Sequence, residues 1–127
     1  MTTDLITQVQ KYETFRSDEQ TAQVVDAVLE TLSERLSEGE ADDLAALLDD
    51  PHADTLRGPA PRHPQEYTLA EFLDHVEQRA DVDHGGREVK TAAVCSALAD
   101  LVPGQELSRV RDQLPDDYDR LFEADKS

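Results

Sequence analysis

The sequence predicts an all-α fold: a bundle of about six to eight helices made of two pseudo-symmetric repeats. Three observations predict it. Apolar residues recur at three- and four-residue spacing through nearly every segment, and no sustained period-two alternation competes. Capping sequences led by Ser17, Ser37 and Thr68 stand just before those apolar runs. The second half also repeats the apolar skeleton of the first: 66 positions on, Val28 falls on Val94, Leu32 on Leu98, Leu36 on Val102, Leu44 on Val110, Leu48 on Leu114 and Leu56 on Phe122. A unit that recurs only twice implies one domain built by duplication, not a solenoid.

The elements follow in order. Leu5, Ile6, Val9 and Tyr12 share a helical face. Ser17-Asp-Glu-Gln20 then supplies an N-cap with a glutamine three residues on, and a long helix follows with Val24, Val25, Val28, Leu29, Leu32 and Leu36 as its apolar stripe. Ser37-Glu-Gly-Glu40 combines a break at Gly39 with a second capping box. The next helix is expected to run to about Asp50 with Leu44, Leu47 and Leu48 inward, and Pro51 ends it. Gly58-Pro-Ala-Pro-Arg-His-Pro64 cannot continue a helix and predicts a semi-rigid extended connector. Thr68-Leu-Ala-Glu71 opens the second half with another capping box, and Leu69, Phe72, Leu73 and Val76 form one face. Here Leu5 and Phe72, like Val9 and Val76, match only with an offset of 67.

Asp83-His-Gly-Gly86 breaks the chain, and the following helix carries Val89, Ala93, Val94, Ala97, Leu98 and Leu101. Leu107, Val110 and Leu114 make the third helix, Pro115 stops it, and Asp116 can cap the next turn. Tyr118, Leu121 and Phe122 complete the core. The chain is thus expected to be a single domain over 1–127, with repeat one at about 4–57, the connector at 58–67 and repeat two at about 68–123. A unit of some 50 residues is marginal alone, so the duplication supplies the missing core.

Composition bounds the function. The 29 acidic and 12 basic residues leave a net charge of −17. The acids are scattered from Asp4 to Asp125 and never form a block longer than two, which favours adaptation to molar salt over a dedicated acidic patch. No basic stripe exists to neutralise phosphates, so direct nucleic-acid binding is disfavoured. No run of about 18 apolar residues occurs, and Met1-Thr-Thr-Asp4 lacks the basic and apolar regions of a signal peptide, so a soluble cytoplasmic protein without membrane contact is expected. Cys95 stands alone, which rules out an intramolecular disulfide.

The segment Gly104-Gln-Glu-Leu-Ser-Arg-Val-Arg-Asp-Gln-Leu-Pro-Asp-Asp-Tyr-Asp-Arg-Leu-Phe122 resembles the signature of the domain of unknown function 2267 family. Members of that family carry Gly-Glu-x-x-x-Val-x-x-Gln-Leu-Pro ending in Leu-Phe. Ala27-Val-Leu-Glu-Thr-Leu-Ser-Glu-Arg-Leu36 is similar to the family's first-half pattern, and Glu71-Phe-Leu73 to a recurrent opening of its second half. The resemblance runs from about Leu5 to Phe122. The first half departs from it, with Leu47-Leu48-Asp49-Asp50-Pro51 where Gln-Leu-Pro is expected. The resemblance implies a short, helical, internally duplicated fold and no particular activity.

No chemistry-bearing constellation stands out. Val110 to Tyr118 is explained by helix-stop chemistry. Glu71 and His75 lie four apart on one helix, but no His-x-x-x-His or Cys-x-x-Cys accompanies them, and His52, His63 and His84 sit in expected loops. Cys95 is expected to be a small core hydrophobe, having no base beside it. Asp116-Asp117, Asp42-Asp43 or Glu38 with Glu40 can coordinate calcium or act as an acid–base couple, yet so acidic a chain makes such pairs uninformative, and the EF-hand pattern is absent. No cofactor, metal or catalytic residue is expected.

The leading reading is therefore a non-catalytic helical module that works through contact with a protein partner in high salt. The alternative is a ligand-binding or enzymatic domain with a site in the cleft between the repeats, where Arg35, Arg109 and Arg111 are the candidates for holding an anionic ligand. Because the halves share an apolar skeleton and helix stops, function is expected in what they do not share.

Overall fold

A computed structural model describes residues 5–48, 52–57, 66–80 and 82–124. Among them every regular element is helical: α1 (Leu5–Val9), α2 (Asp18–Arg35), α3 (Glu38–Ala45), α4 (His52–Arg57), α5 (Leu69–Arg79), a 3₁₀ turn (His84–Gly86) leading straight into α6 (Arg87–Leu101), α7 (Gly104–Asp112) and a C-terminal 3₁₀ helix (Asp116–Phe122). The all-α expectation holds. Pro51, His63 and the Pro-rich connector lie outside the described residues.

The helix starts follow from local chemistry. Ser17 Oγ accepts the Gln20 N–H at 3.0 Å, Ser37 Oγ accepts the Glu40 N–H at 3.2 Å, and Thr68 and Glu71 form a reciprocal capping box at 3.1 and 3.0 Å. Two of the three differ from the expected pattern. The Gln20 side chain reaches back to the Arg16 N–H at 2.8 Å, one residue before the cap. The Ser37 N–H is taken by Gln113 Oε1 at 2.9 Å, so Glu40 is released from the box.

The two long helices form the centre. Val24, Val25, Val28, Leu29, Leu32 and Leu36 of the first half and Ala93, Val94, Ala97 and Leu98 of the second are all buried. α2 packs on α6, and the opening helix of each half lies on the long helix of the other, α1 on α6 and α5 on α2. α2 meets α4 as α6 meets the C-terminal 3₁₀ helix, and α3 meets α7. Val9 and Val76 are fully buried at these crossings. Each half therefore completes the core of the other, and burying a valine or leucine there contributes about 1.5–3 kcal/mol.

The same crossings carry polar anchors. Asp100 of α6 accepts the Gln8 Nε2–H at 2.7 Å and the Tyr12 hydroxyl. Sixty-six positions earlier, Glu34 of α2 accepts Arg79 at 2.9 Å and the Tyr67 hydroxyl at 3.3 Å. Arg79 also donates to Thr31 Oγ1 at 2.9 Å.

Several local expectations are corrected. The first-half break falls at Leu36–Ser37, where the backbone turns extended, and Gly39 lies inside the first turn of α3. α3 stops at Ala45, so Leu47 projects outward at 44% exposure while Leu44 stays buried. Val89, in the opening turn of α6, is 51% exposed and not part of the inward stripe. The C-terminal 3₁₀ helix begins at Asp116 itself, after Pro115, with no side-chain cap. His52 opens α4 and is buried, so it is neither in a loop nor solvated. No helix is long and apolar enough to cross a membrane among the described residues.

Candidate functional site

The α3–α7 seam brings together the most unusual side chains. Glu40 stands in the first turn of α3 and Glu106 in the first turn of α7, 66 positions apart and so in the register of the apolar pairs. One carboxylate oxygen from each of Glu40, Asp43 and Glu106 lies within 4.8 Å of the others. Glu40 is only 7% exposed. Apart from a proton shared between the two carboxyls, its Oε2 and the Oε1 of Glu106 are buried without a hydrogen-bond donor. Arg109 approaches Glu106 Oε2 from the other side at 3.5 Å.

Burial, then the hydrogen bond to Glu106, then the charges of Glu106 and Asp43 push the Glu40 carboxyl up to about 7, against the pull of Arg109. Two buried oxygens of this kind need a shared proton or a cation between them. The seam is thus chemically able to hold either.

Gln113 belongs to the same seam. Besides accepting the Ser37 N–H, its Nε2 donates to Ser37 Oγ at 3.2 Å, so one side chain from the second half clamps the N-terminus of α3. That clamp satisfies an N–H that Glu40 would otherwise have served. It explains why Glu40 is left to face Glu106.

A groove lies between the halves at the other set of helix starts. Thr14, Arg16 and Gln20 line one side, and Asp83, Gly86 and Lys90 line the other, around about 160 Å³. Lys90 Nζ stands 5.5 Å from the centre of the Phe15 ring.

The three candidate arginines face different partners. Arg35 ends α2 with its guanidinium 6.0 Å from the Tyr118 ring centre, and its Nε is buried without a hydrogen-bond partner. Arg109 faces Glu106. Arg111 turns to Asp119 at 3.1 Å and Glu123 at 3.5 Å, over the Phe122 ring. Two residues apart on α7, Arg109 and Arg111 cannot share a face.

Other chemistry-bearing groups make contacts within the chain. Glu71 closes its capping box, where the Thr68 N–H holds its carboxyl below the ordinary range. His75 stacks on Tyr67 with ring centres 4.4 Å apart. His84 meets Glu77 at 2.9 Å, and Arg87 binds Asp74 and Glu77 beside it. Cys95 is 1% exposed, and burial pushes its thiol up to about 12, so it is the core hydrophobe expected. Ser96 Oγ donates to the Leu121 carbonyl and accepts the Ala124 N–H, both at 2.9 Å, which pins the C-terminal segment.

Sequence reasoning missed Glu40 and Glu106 as a pair. The signal was present, because applying the 66-residue offset to acids as well as apolar residues lays one on the other.

Fold and seam together define a small all-helical protein whose halves complete each other around a buried carboxylate pair. The family described as "Uncharacterized conserved protein (DUF2267)" matches residues 2–121, and the chain belongs to that family. A search of curated proteins finds no match.

Proposed function

We propose that the chain is a duplicated single domain that acts by contact with a protein partner, without catalysis, in a cytoplasm of high salt. Leu47 carries this reading. In the second half the corresponding position is Gln113, which is tied into the α3–α7 seam, whereas Leu47 stands 44% exposed just past the end of α3. At molar salt the Debye length falls to about 3 Å, charge steering is screened, and apolar contact is what remains to hold a partner. The commitment of Cys95, His75, His84 and Tyr118 to internal contacts supports the same reading.

Cross-linked capture from lysate in molar potassium chloride tests it. The wild-type chain retains a stoichiometric protein that Leu47→Glu releases, while the helical signal of the variant stays unchanged. A capture that recovers nothing, or the same protein with both chains, contradicts the proposal.

Adaptation to salt is separately testable by circular dichroism. Lowering potassium chloride from molar to millimolar removes the screening of 29 acids against 12 cations, and the melting temperature is expected to fall by ten degrees or more, roughly what 2–3 kcal/mol produces in a domain of this size. An unchanged melting temperature contradicts it.

A second reading is favoured by the groove between the halves. Arg16 and Lys90 approach it from opposite repeats, which suits a small anion. Of the sequence candidates, Arg35 retains an unpartnered buried donor, while Arg109 and Arg111 already face carboxylates.

A further inference from the structure

We propose that Glu40, Asp43 and Glu106 form a binding site for one hard divalent cation, calcium or magnesium, at the seam between α3 and α7. Acidic clusters are cheap in a chain with 29 acids, and exposed ones are satisfied by water. This cluster differs in its burial. Glu40 is more than nine-tenths buried, and once both carboxyls are ionised its Oε2, like the Oε1 of Glu106, has neither solvent contact nor a hydrogen-bond donor. An ionised carboxylate in that position is costly unless a positive charge meets it.

The donor set defines the class of ion. Three carboxylate oxygens within 4.8 Å of one another, with no sulfur or imidazole among them, suit a hard cation rather than zinc or copper. Calcium, with oxygens at about 2.3–2.6 Å, spans such a set readily; magnesium, at about 2.0–2.1 Å, requires it to contract. Charge points the same way. Three carboxylates and the Arg109 guanidinium leave two negative charges, which a divalent ion balances.

The site has an open side, because Asp43 is exposed and Glu106 half-buried while Glu40 is buried. Water can complete the shell from that side. Gln113 contributes indirectly as a positioning residue, by occupying the Ser37 N–H that would otherwise draw Glu40 back to its helix cap. The ion would join one residue pair from equivalent places in the two halves, so its binding would tighten the α3–α7 contact on which the seam depends.

Calorimetric titration of the full chain tests this. Metal-depleted protein in molar potassium chloride at mildly alkaline pH is titrated with calcium chloride, and in a separate arm with magnesium chloride. Saturable binding of one ion per chain in either arm is expected, with a rise in melting temperature. Glu106→Gln and Asp43→Asn each weaken it by about tenfold or more. Asp43 is exposed, so Asp43→Asn keeps its fold even if Glu106→Gln does not. Asp26→Asn, an exposed acid on α2 away from the cluster, binds as wild type. No saturable binding in either arm overturns the proposal. So does binding that Asp43→Asn leaves intact, or that Asp26→Asn weakens equally.

Discussion

Tyr118→Ala is expected to destabilise the chain by about 4 kcal/mol, the loss typical of a large buried aromatic. Tyr118 is 1% exposed and packs edge-on against Phe72, with ring centres 5.4 Å apart. Its hydroxyl is shared between the carbonyls of Tyr67 at 2.7 Å and Thr68 at 3.1 Å, where the chain enters α5. Removing the ring opens a cavity between the C-terminal 3₁₀ helix and α5 and leaves both carbonyls short of a donor. Tyr118→Phe keeps the ring and loses only the bond, so it costs about 1–2 kcal/mol. Denaturant melts in molar salt measure both. A Tyr118→Ala loss under about 1 kcal/mol would place the ring outside the core.

The second large effect is a dependence of stability on pH. Glu40 is raised from its ordinary 4.5 to about 7, chiefly by burial and then by Glu106 and Asp43. The folded chain therefore holds a proton that the unfolded chain has already released. The stability this supplies is complete below the unfolded value, drains as pH rises, and is gone above about 7. The amount is on the order of 3 kcal/mol. Glu40→Gln holds a neutral side chain at every pH, so relative to wild type it gains stability across that window. Melts of both chains in chelator, on either side of the window, measure the difference. A gap between the two that stays constant with pH contradicts the seam's electrostatics.

Much of the fold was legible because helix faces are written in local spacing. The stripe from Val24 to Leu36 and the face from Leu69 to Val76 are buried as the periodicity requires. Caps at Ser17, Ser37 and Thr68 were also legible, since the donor and acceptor lie within three residues of each other. What was not legible depends on partners far along the chain. Gln113 looked like part of a helix stop, yet its work is on Ser37, 76 residues away. Leu47 and Val89 matched apolar positions but fall where the helix has ended or projects beyond its packed face.

The candidate site shows the same limit more sharply. Nothing local separates Glu40 and Glu106 from the other acids, because burial of a carboxylate is decided by which helices meet. Glu40 and Glu106 occupy matching positions, while Leu47 and Gln113 occupy matching positions with different residues. The α3–α7 seam contains both kinds.

The two halves share one core, with α1 seated on α6 and α5 on α2. Native-state hydrogen exchange on Val9→Ala tests it most directly. Val9 is fully buried in α1, and removing its two methyl groups costs about 2 kcal/mol. Amides of α6, in the opposite half, are expected to lose protection by the same amount as those of α2. Loss confined to the first half, with α6 protected as in wild type, would contradict it.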